Sequence, residues 1–260
     1  MKKILIIILV VFMSYSFLQA QDSAFDVLKL KFEQGLSLLT EAEADNFVGF
    51  PYNEELTAIY TQRVIYEDNR HWVVTFLIPC ISGGTCERTA LVVFSKEGKR
   101  LDRLYPFEIN VGEINFLNKK YCSMALNGEL FVANDYSETN MDNGVTTENM
   151  SFEFIRINEK GKISAPYGAK VVDNRRPYNK LSIYLLTEED LQGKKKEELE
   201  TMKNEIYAAH GLKFKEEKWD AYFGGQAWYK RERENVDAYL NMVEKKNAEL
   251  LTGKISQVKE

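Results

Sequence analysis

The chain has 260 residues, 45% of them hydrophobic and 28% charged, enough for one large or two small domains with a sizeable core. Its net charge of −5 argues against nucleic acid as a partner, because phosphate binding needs a surplus of Lys and Arg. An acidic chain also has no general attraction to anionic lipid.

Residues 1–20 read as a secretory signal peptide. Lys2 and Lys3 form a basic start, Ile4 to Phe17 is almost wholly apolar, and Leu18-Gln19-Ala20 ends on a small residue suited to cleavage. The apolar run is too short to span a bilayer comfortably, and no later segment is apolar enough to do so. Cleavage after Ala20 leaves a mature chain of net charge −7, expected to be periplasmic or secreted and without stable membrane insertion.

Residues 21–176 are expected to form an antiparallel β domain with a short N-terminal segment. Leu28, Leu30, Phe32, Leu36, Leu38 and Leu39 supply apolar contacts in that segment, and Thr40 to Ala44 suits a short helix. Runs rich in Val, Ile, Phe, Tyr and Thr then follow: Ala58–Tyr66, His71–Pro79, Arg88–Ser95, Arg100–Tyr105, Glu113–Leu117, Tyr121–Leu126, Glu129–Asn134, Ser151–Asn158 and Lys162–Ala165. Turn signals such as Lys96-Glu97-Gly98, Asn127-Gly128 and Glu159-Lys160-Gly161 separate several of them. The architecture expected is a β sandwich, a strongly curved sheet or a small barrel. Residues 94–101 and 157–163 echo one another, each a strand, a glycine turn and a strand. Two such units are too few for a propeller, so the echo reads equally well as a pair of hairpins.

Cys80 and Cys86 flank Gly83-Gly84, a pair suited to a hairpin tip that brings its flanking strands together. In an oxidising compartment a Cys80–Cys86 disulfide follows; a metal site is the alternative, but no second ligand pair accompanies it. Cys122 lies in an apolar run and reads as a buried, inert thiol. Ser137–Asn149 is polar and reads as a long solvated loop, and its acids and amides match no calcium-loop spacing. Neither a metal nor a cofactor is expected. Pro166–Pro177 marks the change from a period of two to one of 3.6, and so a boundary.

Residues 177–260 are expected to be helical, making the whole an α+β chain of two domains. Thr187 and Asp190 fit a capping pattern. Helices are expected over Glu197–His210, Glu216–Phe223 and Val236–Leu251. Leu199, Met202, Ile206 and Ala209 recur at helical spacing, and Gly211 is suited to end the first helix with His210 in its last turn.

Leu186–Leu251 resembles the YARHG domain, a small bacterial module named for a Tyr-Ala-Arg-His-Gly signature. The matching residues are Leu191, Leu199, Asn204-Glu205-Ile206-Tyr207-Ala208, His210-Gly211, Phe214, Tyr222-Phe223, Trp228-Tyr229, and Glu244 with Asn247. Ala209 stands where the signature has arginine, and Lys203 where an arginine usually precedes the asparagine. Any anionic contact made by those arginines is lost or weakened here. The resemblance implies an envelope-located module of secreted proteins that binds peptidoglycan.

Two readings of the signature residues stand side by side. In the binding reading, Tyr207, His210, Tyr222, Trp228 and Tyr229 form an aromatic platform for sugar rings, with Asn204 and Glu205 as hydrogen-bonding partners. In the structural reading, Trp228 and Tyr229 fill a small helical core, Asn204 holds a loop and His210 caps a helix; this reading is favoured for His210 and Trp228. Catalysis has little support, since no nucleophile elbow, zincin motif or phosphate loop occurs. The function expected is non-catalytic recognition of an envelope glycan or an envelope protein. A protein-interaction scaffold acting through the β domain is the second expectation, and a carbohydrate-active enzyme the third.

Overall fold

The computed structural model describes residues 24–49, 58–79 and 85–258. The expected signal peptide, Cys80 and the Gly83-Gly84 tip lie outside them. Residues 60–172 form nine antiparallel strands: β1 (Tyr60–Glu67), β2 (His71–Pro79), β3 (Thr85–Ser95), β4 (Arg100–Leu104), β5 (Ile109–Gly112), β6 (Phe116–Leu126), β7 (Glu129–Thr139), β8 (Thr146–Arg156) and β9 (Tyr167–Val172). The sheet is open, neither a sandwich nor a closed barrel. A helical region follows, so the class is α+β. The chain divides into two compact units, residues 1–111 with 156–165, and residues 112–155 with 166–260.

In the first unit, β2 is the central strand, buried at seven of its nine positions. It pairs in continuous register with β3, from His71 opposite Ser95 to Pro79 opposite Glu87. Such a run of buried Val, Phe and Ile suits a strand covered on both faces. One cover is α1, the helix over residues 24–33, with α2 (Glu41–Glu43) and a π-helical turn (Ala44–Val48) after it. Phe25, Leu28, Phe47 and Val48 pack on Trp72, Val74, Phe76 and Phe94. A short helix does start at the expected Thr40 to Ala44 stretch, and Thr40 and Glu43 close a reciprocal capping box there. The two echoing segments are indeed hairpin turns, and they touch. Lys162 Nζ donates to Leu101 O at 2.7 Å, and the Ile163 amide donates to Asp102 Oδ2 at 3.0 Å.

Several strand limits differ from the sequence reading. The runs at Glu113–Leu117 and Tyr121–Leu126 largely merge as β6, because Asn118, Lys119 and Lys120 stay in register with Tyr136, Asp135 and Asn134. Their polar side chains sit on a half-buried strand and need no turn. Most of Ser137–Asn149 is strand as well. Only a short tip separates β7 from β8, where Asn140 Oδ1 accepts from the amides of Asp142 and Asn143. Lys162–Ala165 contributes a single bridge, Ile157 to Ile163. β9 instead occupies part of the expected linker, where proline and glycine outweigh its Val171-Val172 run as a sequence signal.

The second unit carries β6 to β9 together with α3 (Lys196–Ala208), α4 (Glu217–Gly224) and α5 (Met242–Gln257). α5 begins well after Val236 and continues through Gly253. Asn241 caps it, accepting from the amides of Val243 and Glu244. A Cβ added at Gly253 would meet nothing within 4 Å, so this glycine is tolerated on an open helix face. Apolar clusters hold the unit. Phe131, Met150, Phe152 and Val172 of the strands pack with Ile183 and Val243. Leu199, Met202 and Ile206 of α3 pack with Leu181, Leu240 and Leu251. Ala208, Trp219 and Phe223 join Phe214, Trp228 and Tyr229 in an aromatic cluster. No helix among the described residues is long and apolar enough to cross a membrane.

Candidate functional site

The helical part of the second unit is organised around buried charge. Glu205 is on the inward face of α3, 1% exposed, and its Oε1 accepts from the Tyr178 amide at 2.9 Å. Arg176 is also buried, with Nε 3.4 Å from the same oxygen. Its Nη1 donates to Ser182 Oγ at 2.9 Å, and that hydroxyl donates to Glu244 Oε1 at 2.6 Å. The other Glu244 oxygen accepts from the Asn241 amide at 3.0 Å and lies 2.8 Å from His210 Nε2. The result is a chain of contacts running Glu205, Arg176, Ser182, Glu244, His210. Burial is the largest influence on Glu205 and holds its carboxyl above the ordinary value, although Arg176 opposes it. Glu244 is kept by several hydrogen-bonding partners, and Glu205 by the Tyr178 amide and its ion pair with Arg176, as a charge removed from water requires.

Asn247, one turn beyond Glu244, does the same work for the backbone. Its Oδ1 accepts from the Leu186 amide, and its Nδ2 donates to the carbonyls of Leu181 and Tyr184, all at 2.8 Å. Glu244 and Asn247 therefore tie α5 to the irregular segment before α3. Thr187 and Asp190 form their capping pair, with the Thr187 amide donating to Asp190 Oδ2 at 2.7 Å.

These contacts separate Asn204 from Glu205. Adjacent helical residues point about 100° apart. Glu205 turns inward to Arg176, while Asn204 and Tyr207 line an open cleft of about 360 Å³. Phe214 and Trp219 line it as well, with Lys203, Lys213, Glu234 and Asp237 among its charged residues. Lys213 Nζ reaches Glu234 Oε1 at 3.1 Å.

The other expected site residues lie elsewhere. His210 follows the end of α3; its side chain meets Glu244 rather than capping a helix carbonyl, while its own carbonyl accepts from Arg233 Nη1. Trp228 and Tyr229 are partly buried against Phe223, and the Tyr229 hydroxyl donates to Leu212 O. Tyr222 is 42% exposed and packs edge-on against Phe223. The seven residues thus divide among a cleft, a buried network and an aromatic core. Cys122 is a buried thiol whose Sγ donates to Met124 O. The expected Cys80–Cys86 pairing involves Cys80, which lies outside the described residues.

Sequence reasoning misses Arg176, Ser182 and Asn241. Asn241 has a readable signal, since a glutamate stands three residues later, the capping-box spacing. Arg176 and Ser182 have none, because only the fold brings them to Glu244. Trp219 and Asp237 are likewise invisible as cleft residues.

A small helical module with an inward charge network and an open cleft beside α3, carried on antiparallel strands, is the class this geometry defines. Residues 178–253 match the YARHG domain, and the network and cleft both fall almost entirely within that stretch. No curated protein and no solved structure matches the chain.

Proposed function

We propose that the protein is a non-catalytic, extracytoplasmic binding protein that recognises a cell-envelope glycan, peptidoglycan first, through its YARHG domain. The observation that carries this reading is the cleft beside α3. Tyr207 and Phe214 offer partly exposed aromatic faces there, and Asn204 adds an amide able both to donate and to accept. That combination suits a sugar, whose ring carbons pack on aromatic faces while its hydroxyls hydrogen-bond at the rim. Glu205, His210 and Glu244 serve the reading indirectly, since they fix α3 against α5 and so hold the cleft open. The leader at residues 1–20 would deliver the chain to that compartment.

The experiment is co-sedimentation of the mature chain with purified peptidoglycan sacculi. Retention well above an acidic control protein is expected, and Asn204→Ala should weaken it. Equal sedimentation of the chain and the control would reject the reading.

A second reading, interaction with an envelope protein, is favoured by β9. Five of its six residues are exposed, and Val171 is 81% exposed. Exposed strand residues of this kind suit strand addition by a partner. Val171→Lys would abolish such an interaction while leaving retention by sacculi unchanged.

A further inference from the structure

A second hollow, of about 450 Å³, lies in the same unit and is lined by Leu240, Lys245, Ala248, Glu249 and Thr252. Tyr207 and Asp237 line both hollows, so the two share a wall. We propose that they form one groove that takes a linear glycan lying across Tyr207, with successive sugar units on either side. This rests on the carbohydrate reading above and adds the shape and length of the ligand.

Three features of the walls support an oligomer of sugars. Each hollow by itself sits at the lower end of the range for a single small ligand, about 300–1,000 Å³. Tyr207 is half-buried against the α3 cluster and lines both hollows. Charges of both signs border each hollow: Lys203 and Glu234 at the first, Lys245 and Glu249 at the second. A polyanion would meet repulsion at every acidic residue, whereas a neutral chain would find hydrogen-bonding partners along the whole length.

An extended peptide fits less well. The second hollow is walled mainly by α3 and α5, whose backbone groups are used within the helices. A peptide strand would gain no main-chain pairing there, and that pairing is the usual source of affinity in strand addition. Sugar hydroxyls need only side-chain partners, which Asn204, Asn235, Asp237 and Thr252 supply.

The test is calorimetric titration of the mature chain with linear β-1,4-linked N-acetylglucosamine oligomers, from the disaccharide to the hexasaccharide. Affinity is expected to rise by about tenfold or more between the disaccharide and the tetrasaccharide, then level off. Thr252→Trp, at an exposed position of the second hollow, should flatten that rise and leave disaccharide binding within about twofold. Asn235→Trp, at an exposed position of the first hollow, should weaken every length. Both positions face solvent, and unchanged thermal melting of each variant would establish that it folds. Affinity that does not depend on length, including no binding at any length, overturns the groove. Tighter binding of an extended peptide of matched charge overturns the choice of glycan. Sacculus retention is read separately: retained sacculi with no length dependence leave the envelope reading intact, and length dependence without retained sacculi does the reverse.

Discussion

His210 Nε2 lies 2.8 Å from Glu244 Oε2, although 34 residues separate them in the chain. Glu244 is 2% exposed and also receives Ser182 and the Asn241 amide, so one carboxylate secures the end of α3, the start of α5 and the segment before both. The histidine of the domain signature is in this setting a strut. Its ring keeps partial exposure, 19% for the side chain, while its partner has almost none.

Removing the charge at Glu244 is therefore expected to be costly. Glu244→Gln keeps one side-chain oxygen and breaks part of the set of contacts that Ser182, His210 and the Asn241 amide share between the two. The expected loss is about 2–4 kcal/mol, in line with breaking a buried polar pair. His210→Ala removes a partly exposed ring and should cost about 1 kcal/mol. Urea unfolding of the two variants checks this. A Glu244→Gln variant as stable as the parent would show that the network does not hold the module together.

Gly211→Ala is expected to destabilise the end of α3. Gly211 has φ +79°, and a Cβ there would meet Lys230 O at 2.8 Å. Its carbonyl also accepts from the amides of Glu232 and Arg233, both at 2.9 Å, so the local backbone is held from both sides. The left-handed conformation alone costs an alanine about 1 kcal/mol, and the close approach adds to it, giving about 2–3 kcal/mol. The drop in melting temperature measures the loss, and an unchanged melt would contradict a left-handed, crowded turn at this position.

Acid should weaken the segment after β9. The bidentate hydrogen bonds from Arg175 hold the Asp173 carboxyl well down, at about 2 against an ordinary 3.8. A depressed folded value means stability that is fully present above the unfolded value and is lost as pH falls through the folded one. The relevant window is therefore from near pH 4 down to near pH 2. Arg175 is 60% exposed, so water screens the pair and its contribution is small. Arg175→Ala should lower the urea midpoint at pH 6 and match the parent at pH 2; an equal deficit at both would show that the charge pair is not its source.

The legible parts of this protein are those written in local pattern. Near-continuous apolar runs mark β2 and β3, since a strand buried on both faces needs an unbroken apolar set. Thr187 with Asp190 announces its turn, and Thr40 to Ala44 a short helix, because a cap is made within four residues. Leu199, Met202 and Ile206 declare the inner face of α3, and the order of signature residues through about 65 positions marks the domain that the match at 178–253 bears out.

What the sequence could not decide was direction and company. Asn204 and Glu205 look alike as neighbouring polar residues, yet a single helical step sends one to a cleft and the other to a buried guanidinium. Trp228 and Tyr229 read as platform or core, with core favoured for Trp228, and only the placement of Phe223 beside them shows how they pack. Arg176 and Ser182 acquire their meaning only when Glu244, more than sixty positions on, is brought to them. The strand limits near Asn118 and Ser137 are set by cross-strand register, which holds polar residues in a ladder that their own propensity would not select. Periodicity and capping are properties of a few consecutive residues and survive in one dimension. The partners of a buried charge and the walls of a groove are fixed by packing between distant segments, and so belong to the tertiary structure alone.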